Sequence, residues 1–122
     1  CIMQRHILEY TIFFDDEQAR RLLYPVLKNV SYTRWHPYFL DIVPEGLSKS
    51  YGAARILERI GVTREECMAF GDGGNDIPII EYAGIGVAMG NATDDVKAAA
   101  DYVTDTVDED GVVTALQRFG VL

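Results

Sequence analysis

Cysteine, positive charge and long apolar runs are all scarce in this chain of 122 residues. Its two cysteines, Cys1 and Cys67, are too few for a disulfide framework, and no secretory signal is visible, so we expect a reducing, cytoplasmic compartment. Only 11 Lys and Arg residues stand against 19 Asp and Glu, and the net charge of -8 argues against nucleic-acid or membrane-surface partners, since both need a basic surface. No apolar run approaches the length that spans a bilayer.

The composition is that of a folded domain. Hydrophobic residues make up 48% of the chain and charged residues 25%, which indicates a soluble globular protein with a real core. The length suits one compact domain. The acidic balance is compatible with a phosphate substrate, because a bound divalent cation and one lysine can reverse the local potential.

The first third of the chain predicts a small α+β unit. Residues 7–14 are rich in β-branched and aromatic side chains, which predicts a strand. Three acids beginning at Asp15 predict a helix start, and apolar residues at helical spacing follow them. Residues 30–35 and 39–43 predict the two strands of an antiparallel hairpin.

The pattern changes after Pro44-Glu45-Gly46, where helices begin to alternate with short apolar strands. This alternation predicts an α/β fold with a doubly wound parallel sheet. Ser48 is the expected N-cap of a helix that runs to about Ile60. Its apolar face would comprise Tyr51, Ala54, Ile56, Leu57 and Ile60. The predicted strands are 68–71, 85–89 and 102–104, and the later helices are 76–82, 93–100 and 110–119.

The strongest functional signal is an acidic, glycine-rich run between a predicted strand and a predicted helix, Gly71-Asp72-Gly73-Gly74-Asn75-Asp76. Ligands of parallel sheets bind beyond the carboxyl ends of the strands, where Asp72 is expected. Asp76 would begin the next helix, whose N–H groups favour a carboxylate. The flexibility of Gly73 and Gly74 is expected to bring the two carboxylates together. Two hard oxygen ligands with room for water and phosphate favour Mg²⁺ over Ca²⁺.

Similar runs also occur in structures that have no magnesium site. A surface turn with solvated acids accounts for such a run equally well when it is considered by itself. A calcium-binding EF-hand is excluded, because Ala83 stands where the loop needs a bidentate glutamate. A glycine-aspartate repeat is excluded because the run occurs once.

Taken together, four blocks of the chain resemble the Cof-type, type IIB branch of the haloacid dehalogenase (HAD) phosphatases. They are residues 70–76, 86–92, 96–104 and 108–112. The resemblance implies that residues 46–122 are the C-terminal part of a Rossmann-like HAD core. Residues 1–45 then resemble the C-terminal portion of an α+β cap. Within the branch, the chain is most similar to bacterial sugar-phosphate phosphatases.

The resemblance also implies roles for particular residues. Asp72 and Asp76 match the acidic motif that holds Mg²⁺, and Asn75 matches an asparagine that binds the phosphoryl group. Lys49 matches the lysine that neutralises phosphoryl oxygens and orients the nucleophile, so it counts as both catalytic and phosphate-binding. Asn91 is either a turn residue or a member of the site.

The hairpin of the first unit holds two lower-ranked candidates, Arg34 and Trp35. They belong to an aromatic-rich segment that either forms core or faces the substrate. His36 is expected to be neither metal ligand nor base, because no carboxylate or second histidine stands beside it at ligand spacing.

The family's nucleophile motif, Asp-x-Asp-Gly-Thr, does not occur in this chain. The segment at Asp15 imitates it, but Glu17 stands where the second aspartate belongs, and we expect Asp15 to begin a surface helix instead. The chain alone is therefore expected to be inactive. The resemblance implies that an N-terminal half with the nucleophile lies outside this sequence. We expect this half, a second copy or a rearranged segment to cover the exposed edge of the sheet.

The predicted function of the parent protein is Mg²⁺-dependent hydrolysis of small phosphomonoesters, with sugar phosphates as the expected substrates, through an aspartyl-phosphate intermediate. Two alternatives remain. A P-type ATPase phosphorylation domain shares the glycine-aspartate block, although the hairpin, the position of Lys49 and the absence of a membrane segment count against it. A non-catalytic, Mg²⁺-dependent binding or interaction module is the alternative from another class.

Overall fold

The structure, a computed structural model, describes residues 8–122. The start of the first predicted strand, at Ile7, lies outside the described residues. The chain divides into two compact units between Leu47 and Ser48.

The first unit is a three-stranded antiparallel sheet with one helix. The strands are β1 (Tyr10–Ile12), β2 (Val30–His36) and β3 (Phe39–Pro44), in the order β1-β3-β2, and the helix is α1 (Asp16–Leu22). The predicted hairpin is therefore confirmed, as β2 paired with β3. The buried residues of this unit's core are Ala19, Leu40 and Ile42.

Asp15 begins α1, as the sequence predicts. Its side-chain Oδ1 accepts the backbone N–H of Gln18 at 2.8 Å, and the Gln18 Oε1 accepts the backbone N–H of Asp15 at 3.2 Å. This reciprocal pair is a capping box, which satisfies two N–H groups at the start of the helix. The acids at Asp15 are thus explained by helix capping.

The second unit is a parallel sheet with helices packed against it, which confirms the predicted α/β class. The sheet has the order β4-β5-β6, with Met68 opposite Ile85 and Val87 opposite Tyr102. The elements are α2 (Lys49–Ile60), β4 (Met68–Gly71), α3 (Ile77–Tyr82), β5 (Ile85–Ala88), α4 (Asp94–Ala99), β6 (Tyr102–Val103) and α5 (Gly111–Arg118). Short 3₁₀ helices cover Arg64–Glu66, Gly74–Asp76 and Val107–Glu109.

The core of the second unit forms where α3 and α4 pack against β5. Ile80, Ala88 and Val96 are buried together there. Gly86 lets α3 approach the sheet, because a Cβ at that position would lie 2.3 Å from the carbonyl oxygen of Ile80. The same close packing fixes the carboxyl ends of β4 and β5, from which the candidate site is built.

Helix α2 begins as predicted, and its predicted apolar face is partly exposed. The Ser48 Oγ accepts the backbone N–H of Tyr51 at 3.1 Å, which confirms the N-cap, and Gly61 ends the helix with φ of +73°. However, no residue of α2 is buried, and Ile56 and Ile60 are each 62% exposed. Among the other elements, α2 packs mainly against α3.

Helices long and apolar enough to cross a membrane are absent from the described residues 8–122.

Two glycine substitutions test the packing of the second unit. We expect Gly86→Ala to lower the free energy of unfolding by about 1–3 kcal/mol, because the added methyl overlaps the backbone of α3. Urea denaturation of the 122-residue chain measures the effect.

Gly52→Ala is the matched control, since position 52 lies within α2 and a Cβ there meets nothing within 4 Å. It should raise the stability by about 0.5–1 kcal/mol, as alanine favours a helix over glycine. Equal stability losses in both variants would contradict the described contact between α3 and β5.

Candidate active site

The site lies at the carboxyl ends of β4 and β5. Asp72 follows β4 directly, and the carbonyl oxygen of Asp72 accepts the N–H of Thr93 at 3.4 Å. The carbonyl of Gly71 accepts the N–H of Met89 at 2.9 Å, so the loops after the two strands are joined by backbone hydrogen bonds. The predicted placement of Asp72 at this edge of the sheet is thus observed.

Asp76 is the centre of the site's hydrogen bonds. Its residue is only 7% exposed, and its Oδ2 accepts the backbone N–H groups of Asp72 at 3.0 Å and Gly73 at 3.2 Å. Its Oδ1 accepts a hydrogen bond from Nζ of Lys49, with which it forms an ion pair. One carboxylate therefore joins the first turn of α2 to the turn after β4.

Opposing effects act on the charge of Asp76. Burial raises the pKa of this carboxyl, but the bonds from Lys49 and from the N–H groups of Asp72 and Gly73 outweigh it. The net result is a pKa below the ordinary value, so Asp76 is an anion at neutral pH. A buried anion that is matched by a cation and two N–H donors is well satisfied.

Lys49 is the first residue of α2, and the N-cap at Ser48 fixes where that helix begins. The side chain of Lys49 remains 51% exposed, although it contacts Asp76. An ammonium in this position is held in place and yet reachable by a ligand. Stabilising an anionic group bound at the strand ends is the chemistry that this arrangement allows.

Gly71 allows Asp76 to reach the strand end. A Cβ on Gly71 would lie 2.4 Å from the Cβ of Asp76, which real structures do not tolerate. Glycine is therefore required here by close approach.

The prediction that the flexibility of Gly73 and Gly74 brings the two carboxylates together is wrong. The φ of Gly73 is -116°, which other residues adopt, and Gly74 is not among the glycines with positive φ. The turn is instead a 3₁₀ helix at Gly74–Asp76, closed by the N–H of Asp76 bonding to the carbonyl of Gly73 at 2.8 Å. A 3₁₀ turn reaches the same compactness with ordinary dihedrals.

The two asparagines of the site are placed differently. Asn75 is partly buried within the 3₁₀ turn, beside Asp76. Asn91 is exposed, and its Nδ2 donates to Oδ2 of Asp72 at 3.4 Å, while its Oδ1 accepts the backbone N–H of Val107 at 3.1 Å. Asn91 therefore belongs to the site's hydrogen-bond network. Sequence reasoning missed Val107, whose contribution is a main-chain group and leaves no signal in a residue pattern.

The donor set is compatible with part of a Mg²⁺ site. Asp72 offers an exposed carboxylate, and hard oxygen donors are what Mg²⁺ prefers. Within residues 8–122, no group of three or more His, Cys, Asp and Glu side chains is arranged to hold a metal ion. A site with so few carboxylates agrees with the coordination chemistry of Mg²⁺, which keeps several waters and binds through one or two carboxylates together with substrate phosphate.

The lower-ranked candidates lie in the first unit. Nη1 of Arg34 donates to the carbonyls of Phe14 at 3.0 Å and Pro37 at 3.1 Å, with two further carbonyls within 3.4 Å. Nη2 of Arg34 is buried and has no hydrogen-bond partner among the residues that the structure describes. The Arg34 guanidinium thus links the backbone at the end of the hairpin to Phe14. The ring of His36 stacks on Phe39, with ring centroids 4.3 Å apart. Trp35 lies in β2, and its side chain is outside the described residues.

A parallel sheet with a lysine–aspartate pair and a further aspartate at its strand ends places charged groups where open α/β sheets bind their ligands. The chain belongs to the haloacid dehalogenase-like hydrolases, whose family model matches residues 2–116. This confirms the family that the sequence blocks indicate.

Relatives agree with this assignment. The Bacillus subtilis (strain 168) protein YcsE, named 5-amino-6-(5-phospho-D-ribitylamino)uracil phosphatase, is 42% identical over 107 residues, which are 86% of this chain and 43% of YcsE. The structure of the HAD phosphatase BT1666 from Bacteroides thetaiotaomicron matches 99% of this chain with a TM-score of 0.89 and 45% identity. The HAD subclass IIB sugar phosphatase BT4131 matches 97% with a TM-score of 0.88 and 43% identity. This chain spans about 45% of each of these two solved chains.

A double-mutant cycle tests the pair at the centre of the site. We expect Asp76→Asn to lower the free energy of unfolding by about 1–3 kcal/mol, because the amide replaces an acceptor of Lys49 with a donor. Lys49→Met alone should also be destabilising, because it leaves the buried Asp76 carboxylate without its countercharge. In the Asp76→Asn background, Lys49→Met should not lower the free energy of unfolding further. Urea denaturation of the unsubstituted chain, the two single variants and the double variant gives the coupling free energy between the two side chains.

The exposed pair Arg55–Glu58 in α2 supplies the control. Arg55→Ala should change stability by no more than about 0.5 kcal/mol, as usual for surface pairs. Additive effects of the Asp76 and Lys49 substitutions would show that the two side chains do not interact in solution.

Proposed function

We propose that this chain is the metal- and phosphate-binding part of a longer, cytoplasmic Mg²⁺-dependent phosphatase that hydrolyses small phosphomonoesters, with sugar phosphates as the substrate class. The observation that carries the proposal is the half-exposed Lys49 ammonium, held by the buried Asp76 beside the exposed Asp72 carboxylate. A fixed cation next to a potential metal ligand suits a phosphoryl group, whose transition state spreads negative charge over three oxygens.

Each site residue has a proposed role. Lys49 neutralises phosphoryl oxygens and orients the attacking carboxylate, and Asn75 donates to the phosphoryl group. Asp72 offers the direct oxygen ligand to Mg²⁺. Asp76 contributes mainly through its charge and by holding the turn, because its two oxygens already accept bonds from Lys49 and two N–H groups. When bound, the cation would act as Lewis acid and template for the phosphate.

The nucleophile of the proposed reaction lies outside this chain. A carboxylate attacks phosphorus, the bond to the leaving-group oxygen breaks, and water then hydrolyses the aspartyl phosphate. Neither Asp72 nor Asp76 is the proposed nucleophile, because Asp72 is assigned to the cation and Asp76 is paired with Lys49. Asp15 is engaged in capping α1. Because the chain spans less than half of BT1666 and BT4131, we propose that the remaining half carries this carboxylate.

The same half is the proposed cover for the open side of the second unit. Strand β4 is an edge strand of the described sheet, because it pairs with β5 alone. Unpaired strand edges promote association, and so do exposed apolar side chains such as Ile56 and Ile60. The N-terminal half of the protein, or a second copy of the chain in its absence, would pair with this edge.

The names of two relatives support the substrate class. BT4131 is named a sugar phosphatase, and YcsE is named for a phosphorylated ribityl compound. Both names describe phosphomonoesters of polyhydroxylated carbon chains. Trp35 is a proposed substrate contact, whereas Arg34 would act through the hairpin end that its guanidinium holds.

A second candidate is a non-catalytic Mg²⁺-dependent binding module. It is favoured by the combination of the Lys49–Asp76 pair with the absence of an Asp-x-Asp-Gly-Thr motif from the chain. The two candidates share the metal site and differ in whether a nucleophile joins it.

The metal site is tested by Asp72→Asn. We expect the Mg²⁺ affinity of the chain to fall at least about tenfold, because a charged hard ligand is replaced by a neutral one of the same shape. Isothermal titration calorimetry at fixed ionic strength measures it.

Glu81→Gln is the control, since it removes one negative charge from the exposed side of α3 in the same unit. Its affinity should match that of the parent chain. An equal loss in both variants would mean that net charge alone attracts the ion, and equal affinities in all three would place the metal elsewhere.

Catalysis is tested by release of inorganic phosphate from a panel of sugar phosphates with Mg²⁺. We expect the 122-residue chain to release none above background, and a longer protein that includes the N-terminal half to turn over. Mixing the two separately produced halves should restore part of this activity. Comparable turnover by the chain alone would mean that the nucleophile lies within it. An inactive longer protein that still binds Mg²⁺ and phosphate would favour the binding module.

A further inference from the structure

The side chain of Asn91 connects the loops that follow three neighbouring strands. Its Nδ2 donates to Oδ2 of Asp72 at 3.4 Å, and its Oδ1 accepts the N–H of Val107 at 3.1 Å. Asp72 follows β4, Asn91 comes after β5, and Val107 comes after β6. One amide group thus spans the width of the described sheet at its carboxyl edge.

The chemistry of its two neighbours decides which way this amide faces. The Val107 N–H can only donate, so the amide oxygen must face it. The amide nitrogen, which is only a donor, then faces the carboxylate of Asp72. The flipped amide would set N–H against N–H and oxygen against carboxylate, and would lose both bonds. The main-chain group of Val107 therefore controls what Asn91 presents to Asp72.

The bond from Asn91 selects an orientation for Asp72. Asp72 is exposed, and an exposed side chain samples several rotamers unless a neighbour favours one. At 3.4 Å the bond is long, so it contributes little stability. It nevertheless engages Oδ2 of the carboxylate and leaves Oδ1 for another ligand.

We propose that Asn91 is a positioning residue that presents the Asp72 carboxylate to the divalent cation. The Val107 N–H fixes the orientation of the Asn91 amide. This rests on the proposed function, which assigns Asp72 to the metal. It decides between the two roles that the sequence leaves open for Asn91. It also gives the loop after β6 a part in metal binding, although no side chain of that loop is needed.

Two substitutions separate this role from simple packing. Asn91→Ala removes the amide. Val107→Pro leaves Asn91 intact and removes only the N–H that orients it. Proline suits position 107, the first residue of a 3₁₀ helix, and Thr106 before it has φ of -70° and ψ of 166°, which proline accepts in its predecessor.

We expect Asn91→Ala to raise the Mg²⁺ dissociation constant by roughly three- to tenfold, at or below the low end for removal of an outer-shell partner, because the bond is long. Val107→Pro should raise it by a smaller factor in the same direction. Calorimetric titration with MgCl₂ is made at a temperature where every variant is folded. Urea denaturation without metal is run in parallel, because a merely structural role would change stability and leave the affinity of the folded protein unchanged.

Arg64→Pro is the matched control for the proline substitution. Arg64 is also the first residue of a 3₁₀ helix, and Thr63 before it has φ of -84° and ψ of 161°. Arg64→Pro should leave the Mg²⁺ affinity within about twofold of that of the unsubstituted 122-residue chain, since Arg64 takes no part in the site's hydrogen bonds.

The outcomes are distinct. Parent-like affinity in Asn91→Ala, with a parent chain that binds Mg²⁺, overturns this inference and leaves the proposed function standing. A loss in Asn91→Ala but none in Val107→Pro overturns the orienting role of Val107. If the parent chain binds no Mg²⁺ at millimolar concentrations, the proposed metal site falls, and the role of Asn91 falls with it.

Discussion

The site depends on the buried negative charge of Asp76. Removing a carboxylate from water costs free energy unless the carboxylate is paired and hydrogen-bonded. The need for a cation, for N–H donors and for space therefore constrains the residues around Asp76. Lys49 supplies the countercharge, and the N–H groups of Asp72 and Gly73 supply the donors. Gly71 supplies the space, because any side chain there would collide with Asp76. Constraints on separate segments of the chain therefore trace to one ion.

The local features of the fold could be predicted from sequence, because short-range chemistry determines them. The N-cap at Ser48 and the helix start at Asp15 follow from side chains that bond to N–H groups three residues away. The strands β4 and β5 follow from short apolar runs between turn residues. Their order along the sheet places Asp72 at the ligand-binding edge, as the sequence indicates.

Features that depend on distant neighbours could not be predicted in the same way. The bond between Asn91 and Val107 joins residues 16 apart through a main-chain group, which no residue pattern encodes. The exposure of Ile56 depends on which elements lie around α2, whereas the helical period shows only that an apolar face exists. The shape of the turn at Gly73 does not follow from its sequence, because glycine permits a left-handed conformation without requiring it.

The position of Lys49 at the very start of α2 links the site to the packing of that helix. The ammonium reaches Asp76 only while the first turn of α2 is formed and the helix lies against α3. A ligand that needs Lys49 consequently binds the docked form of α2 and not the undocked one. By mass action, such a ligand shifts the docking equilibrium of the helix by RT ln(1 + [L]/Kd), and any undocking weakens the ligand's affinity in return. Occupancy of the site and the order of α2 are thus two measures of a single equilibrium.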